Sequence, residues 1–142
     1  MISLNFPGGT LVQEEISGAG DDDIDLSPGA GKRWDFVLGR VQLEAAAEAG
    51  TRVIRLQVYD SSNNLLVEYP SSPDITVVDV SLTRTLNLSK NVDIPTSAGV
   101  WDYHEGIGEL LLQDGMYLRI TIANGLAVDT VSGYILFREF GL

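Results

Sequence analysis

The feature that most constrains this chain is an alternation of apolar and polar residues at period two, repeated along its length and broken by clusters of turn formers. Successive side chains of a β-strand point to opposite faces, so this period marks strands with one buried face. Residues 51–59 show it most cleanly: Ile54, Leu56 and Val58 share one face, and Arg55, Gln57 and Tyr59 the other. Asp60-Ser61-Ser62-Asn63-Asn64 then supplies a turn, and residues 65–69 resume as a strand. The spacing predicts a hairpin that Pro70 ends, since proline donates nothing to a ladder. Residues 116–123 alternate again, with Leu118, Ile120 and Ile122 inward, and residues 131–140 place Val131, Gly133, Ile135 and Phe137 on one side. The turn signal Asn124-Gly125 between these runs predicts a second hairpin.

Residues 33–47 form the longest strand candidate, with Val37, Gly39, Val41 and Leu43 opposing Leu38, Arg40, Gln42 and Glu44. The alanine-rich tail at 43–49 has helix propensity, but Gly50 follows at once, so a strand running into a loop is expected. In residues 75–88, Thr76, Val78, Val80 and Leu82 share a face that Arg84, Leu86 and Leu88 continue. An arginine within an apolar parity predicts a bend or bulge near residues 81–84. Residues 7–31 and 91–108 are irregular and glycine-rich, and long loops of this kind often carry function. No linker divides the chain. Residues 1–31 read as an N-terminal arm or edge strands packed on the domain, and residues 32–142 as the domain itself. The expected fold is all-β, an antiparallel β-sandwich or jelly roll of roughly eight strands.

Composition narrows the chemistry. The 142 residues include no cysteine, which removes disulfides, thiolate metal sites and cysteine nucleophiles. The net charge of −11 disfavours nucleic acid and anionic membranes as partners. The N-terminus has no basic region followed by an apolar run, and no stretch nears the roughly 20 apolar residues of a membrane helix. A soluble product made in the cytoplasm is expected.

Three constellations are candidates for chemistry. Asp21, Asp23 and Asp25 have the spacing that opens a calcium loop, but an EF-hand loop needs glycine at its sixth position and glutamate at its twelfth. Leu26 and Lys32 stand there, so a solvated acidic loop is the expectation, with the three aspartates as weak metal candidates. His104 is the single histidine and lies beside Asp102 and Glu105. No Gly-x-Ser-x-Gly elbow exists to present a serine to it, and a metal site would lack a second imidazole. A loop histidine bonded to a carboxylate is expected, and Asp102 with Glu105 is no better a glycosidase pair than an acidic chain offers anywhere. There is no phosphate-cradling or dinucleotide-binding motif. Trp34, Trp101, Tyr103 and Tyr117 are candidates for a sugar-stacking face, although Trp34 and Phe36 read more readily as core. No catalytic residue, metal or cofactor is expected.

The segment Gly50-Thr51-Arg52-Val53-Ile54-Arg55-Leu56-Gln57-Val58-Tyr59-Asp60-Ser61-Ser62-Asn63-Asn64-Leu65-Leu66 resembles a pattern of small structural proteins of tailed phages, in which a strand ending in Asp leads through a Ser/Gly/Asn turn to a short apolar strand. Ser81-Leu82-Thr83-Arg84-Thr85-Leu86 resembles the next strand of such chains, and residues 110–122, with Asp-Gly before an apolar-Arg-apolar strand, their penultimate one. The similarity spans residues 34–140. It implies a virion component, foremost a capsid decoration or cement protein on the outer shell, whose partners are the major capsid protein and copies of itself, often as a trimer. A head–tail junction or tail component and a carbohydrate-binding jelly-roll module are the alternatives. Expected contact residues are Ile2, Leu4, Phe6, Leu11 and Val12, in strand-like pieces able to add to a neighbouring sheet, together with Trp101 and Tyr103 in the 91–108 loop.

Overall fold

Among the described residues the regular structure is entirely β, as the alternation requires. The computed structural model describes residues 5–6, 9–69, 71–90 and 102–141. Its strands are β1 (Asn5–Phe6), β2 (Gly9–Ala19), β3 (Ile24–Leu26), β4 (Lys32–Ala45), β5 (Gly50–Tyr59), β6 (Leu65–Glu68), β7 (Ile75–Val77), β8 (Leu82–Ser89), β9 (Asp102–Gly106), β10 (Leu111–Leu112), β11 (Tyr117–Ala123) and β12 (Thr130–Gly141).

They form two packed sheets. The larger runs β1-β2-β12-β4-β8-β9, with β10 also on β4; the smaller runs β3-β11-β5-β6, with β7 also on β5. The pairing is nested. β2 pairs with β12, β3 with β11, β4 with β8, and β5 with β6 and β7, all antiparallel. Among the described strands the chain therefore changes sheet at six of eleven connections, and β2 lies beside the C-terminal strand β12. β9 is the exception: it joins β8 in parallel.

Inward residues of both sheets fill the space between them, among them Phe36, Leu43 and Phe137 from the larger sheet and Ile54, Leu56 and Leu118 from the smaller, each fully buried. Burying such a side chain contributes about 1.5–3 kcal/mol. The aromatic part of this core is ordered by ring contacts. Trp34 stacks on Phe137 at 4.7 Å, and its indole N–H donates to Glu139 at 2.8 Å. Trp34 and Phe36 are thus core residues, and Trp34 offers no face to a sugar.

Residues 9–19 are packed on the domain as β2 and pair with β12 along ten successive positions, Thr10↔Glu139 to Ala19↔Thr130. Other expectations change here. The inward parity of β4 is interrupted, because its register with β12 shifts at Leu136/Phe137 and leaves Val37 as an extra residue. Trp34 and Phe36 face inward before that bulge, and Val41, Leu43 and Ala45 after it. Residues 75–88 are not one strand. Ile75 and Val77 are buried on β7, Val78 and Val80 are exposed, and the chain then enters the other sheet at Leu82. The break falls at residues 78–81, just before the region where the buried Arg84 suggested a bend. Finally, β11 and β12 make no hairpin. Asn124 takes a positive φ of 58°, and residues 124–129 carry the chain from the smaller sheet to the larger.

Candidate functional site

The residues singled out from sequence are dispersed. Asp25 accepts two hydrogen bonds from the Arg119 guanidinium, at 2.8 Å from Nε and 3.0 Å from Nη2, and Asp23 lies 3.6 Å from Nη1. Asp22 accepts the Ala19 backbone N–H at 2.9 Å, and Asp21 is exposed. Asp21, Asp23 and Asp25 therefore do not converge on a cation; two of them hold the chain's own arginine. Among the described residues no three histidine or acidic groups are placed to hold a metal ion. Val12 is buried at 8% exposure and packs into the core, so it presents nothing to a partner; Leu11 is half-buried. Ile2, Leu4 and Trp101 lie outside the described residues. Phe6 lies on β1 and Tyr103, Asp102 and His104 on β9, with side chains outside the described set.

Tyr117 belongs to a cluster on the outer face of the smaller sheet. It sits directly opposite Tyr59 across the β5–β11 ladder, and the two rings stack at 5.2 Å. The Arg119 guanidinium lies over both, 5.2 Å and 5.3 Å from the ring centres. Tyr59 donates to Gln57 at 3.0 Å and Tyr117 to Asn63 at 2.8 Å. The bond to Asp25 raises the Arg119 pKa above its ordinary value. Each polar tip already has a partner, so the cluster ties β3, β5, β11 and the 60–64 turn together across their open face.

The most built site is one that sequence reasoning passed over. It lies at the end of the molecule where four sheet crossings meet, at residues 20–23, 46–49, 78–81 and 124–129. Arg52 has the same parity as Ile54, Leu56 and Val58, so β5 drives its side chain inside, where it is 1% exposed. Asp129 meets it there. Nε donates to Oδ2 at 2.9 Å and Nη2 to Oδ1 at 3.2 Å, while Nη1 donates to the Glu48 carbonyl at 3.0 Å. The same carboxylate accepts the backbone N–H groups of Ala46 at 2.8 Å and Leu126 at 2.9 Å. The Asp129 carbonyl accepts Gly20 N–H at 2.9 Å. Burial would push the Asp129 carboxyl up, but the Arg52 guanidinium and those two N–H donors outweigh it and hold the pKa below the ordinary carboxylate range. Two glycines let the crossings touch. A Cβ on Gly125 would stand 1.9 Å from the Gly20 carbonyl oxygen, and one on Gly20 would stand 2.5 Å from the Asp129 Cβ.

Around this fixed knot the surface is apolar and acidic. Val78, Val80 and Val128 are 61%, 55% and 60% exposed. Asp79, at a positive φ of 54°, makes the tight turn that holds the first two outward. An open depression of about 350 Å³ lies beside them, lined by Glu44, Ala46, Leu82, Thr83, Val128 and Thr130 among others. Asp21, Asp22, Asp23, Glu44, Glu48 and Asp79 are all exposed here, and the four crossings contain no lysine or arginine. A second apolar feature is β6, an edge strand whose Leu65, Leu66 and Val67 are 48%, 50% and 43% exposed.

Searches against protein-family models, curated proteins and solved structures gave no match to this chain.

Proposed function

We propose that this chain is a non-enzymatic virion structural protein of jelly-roll type that binds the outer surface of a capsid as a decoration protein and stabilises the shell. The observation that carries this reading is the nested strand order. A jelly roll is a long antiparallel hairpin rolled into two sheets, so its first strand pairs with its last and each successive strand with the next inward one. The order β2-β12-β4-β8 against β3-β11-β5 with β6 and β7 fits that description, with β1, β9 and β10 as additions, and viral capsid proteins are among the main users of the fold. The likeness of residues 34–140 to tailed-phage structural proteins points the same way. So does the net charge of −11, which suits a position away from packaged DNA.

Binding then falls to the surface. Copies of the chain associate, in this reading, through β6. The exposed strands β2 and β3 carry Glu14, Glu15 and Asp25, whereas β6 presents Leu65, Leu66 and Val67 in a row before its one acid, Glu68. Edges this apolar are rare on proteins that stay single.

The test is stoichiometry. In particles purified from a culture carrying the gene, quantitative mass spectrometry is expected to find the chain in a fixed, high ratio to the major shell protein. A few copies, set by the symmetry of the tail, would assign it to the junction or tail. Its absence from particles, with retention on a glycan array, would favour the carbohydrate-binding alternative, for which the Tyr59–Tyr117 pair is the supporting feature.

A further inference from the structure

We propose that the crossing end of the molecule, residues 20–23, 44–48, 78–83 and 124–130, is a docking surface for a protein segment that is basic and apolar together. Lysines or arginines of the partner would flank an apolar side chain seated in the depression beside Val80 and Val128.

Three observations carry this. The valines are exposed on loops, not on strands, at 55–61% of their surface, and Val128 lines the depression; apolar side chains exposed at one end of a molecule mark contact when they join into a patch. The crossing that presents Val128 is held in one geometry, with the 20–23 and 46–49 crossings, by a fully buried Arg52–Asp129 pair and by the close approach of Gly20 and Gly125. Preorganised loops lose little freedom when a partner docks. Charge then selects the occupant. Asp21, Asp22, Glu44, Glu48 and Asp79 stand exposed on the rim. The two arginines nearby are engaged: Arg119 holds Asp23, and Arg84, 8% exposed, donates to the Thr83 carbonyl. Lys32, Arg33 and Arg138 sit toward the opposite end, at the start of β4 and the end of β12. A second copy docking end to end would bring like charges together, which specific interfaces avoid. A basic partner gains from the same field, both in encounter rate and in binding. The surface is independent of whether the partner is a shell protein.

The test uses the whole chain, ¹⁵N-labelled, and three synthetic peptides of equal length: alternating Lys/Leu, alternating Lys/Ser and alternating Glu/Leu. The Lys/Leu peptide is expected to bind, with chemical-shift changes concentrated at residues 20–23, 44–48, 78–83 and 124–130. The Lys/Ser and Glu/Leu peptides are expected to bind at least about tenfold more weakly, the factor that corresponds to losing one buried apolar side chain or its flanking charge pairs. Val80→Ser and Val128→Ser lie on the surface and leave thermal unfolding unchanged, yet each is expected to weaken the Lys/Leu peptide about tenfold. Three results overturn the proposal. One is equal binding of Lys/Ser, which means a diffuse ionic effect. Another is shift changes centred on the opposite end or on β6. The third is an oligomer in solution that Val80→Ser and Val128→Ser dissociate, which makes a second copy the occupant.

Discussion

Two arginines of this chain grip an aspartate through a forked pair of hydrogen bonds, with nearly the same geometry and in opposite surroundings. Arg52 meets Asp129 at 2.9 and 3.2 Å with both side chains at most 1% exposed. Arg119 meets Asp25 at 2.8 and 3.0 Å with side chains 27% and 41% exposed. The chemistry is shared, so the difference lies in what water would do if the pair were broken. Water takes over the freed partner at the exposed pair, and the median value of such pairs is about 0–1 kcal/mol. No water reaches the buried one, so a lone charge would be stranded there. Asp129 also gathers backbone donors from two other crossings, Ala46 N–H on its carboxylate and Gly20 N–H on its carbonyl, and so fixes an end of the molecule. The exposed pair only clips β3 against β11.

The largest effect that can break this comparison is Asp129→Ala. It strands Arg52 and orphans the Ala46 and Leu126 N–H groups, and is expected to cost about 3–5 kcal/mol in urea unfolding. Replacing both partners by apolar residues, Arg52→Met with Asp129→Leu, is expected to recover part of that loss, because no buried charge remains while the Ala46 and Leu126 N–H groups stay unpaired. A cost below about 1 kcal/mol for the single change would place the two pairs in the same class.

Next is Gly125→Ala. Its methyl group would collide with the Gly20 carbonyl, and a shift of the crossings is expected to cost about 1–3 kcal/mol. Gly141→Ala meets nothing within 4 Å and serves as the control.

Acid separates the pairs by another route. The Asp129 pKa is lowered in the fold. Its contribution is therefore fully present above the unfolded-state value, about pH 4, and is lost as pH falls through the lower folded value. Unfolding free energy measured through that window is expected to fall less steeply in Asp129→Asn than in the parent chain.

The smallest effects belong to the exposed pair. Asp25→Ala is expected to cost less than about 1 kcal/mol and to cost less still in high salt. Arg119→Ala is expected to cost slightly more, because the guanidinium also covers the Tyr59 and Tyr117 rings.

The alternation made β5, β11 and the inner face of β12 legible from sequence, since each keeps strict parity from end to end. It failed where parity is local and pairing is not. One extra residue at Val37 switches the inward parity of β4 from Trp34 and Phe36 to Val41 and Leu43, which alternation does not foresee. Asn124-Gly125 has the composition of a hairpin turn, yet turn chemistry fixes only the backbone angles and not which sheet receives the next strand. Arg52 carried a usable signal: it continues the inward parity of Ile54, Leu56 and Val58, and an arginine there demands a buried acid. Asp129 could not be paired with it from sequence, because 77 positions separate them. The aspartates at 21, 23 and 25 were conspicuous as a cluster, but their partner, Arg119, comes from a strand far along the chain.

The proposed role depends on where this molecule sits and which end it uses. A cryo-electron microscopy reconstruction of the assembled particle tests both at once. The predicted result is density for the two-sheet domain on the outer face of the shell, with Val80 and Val128 against a basic, apolar patch of the protein beneath. A domain inside the shell or in the tail, or one seated by its opposite end with both valines open to solvent, would contradict it.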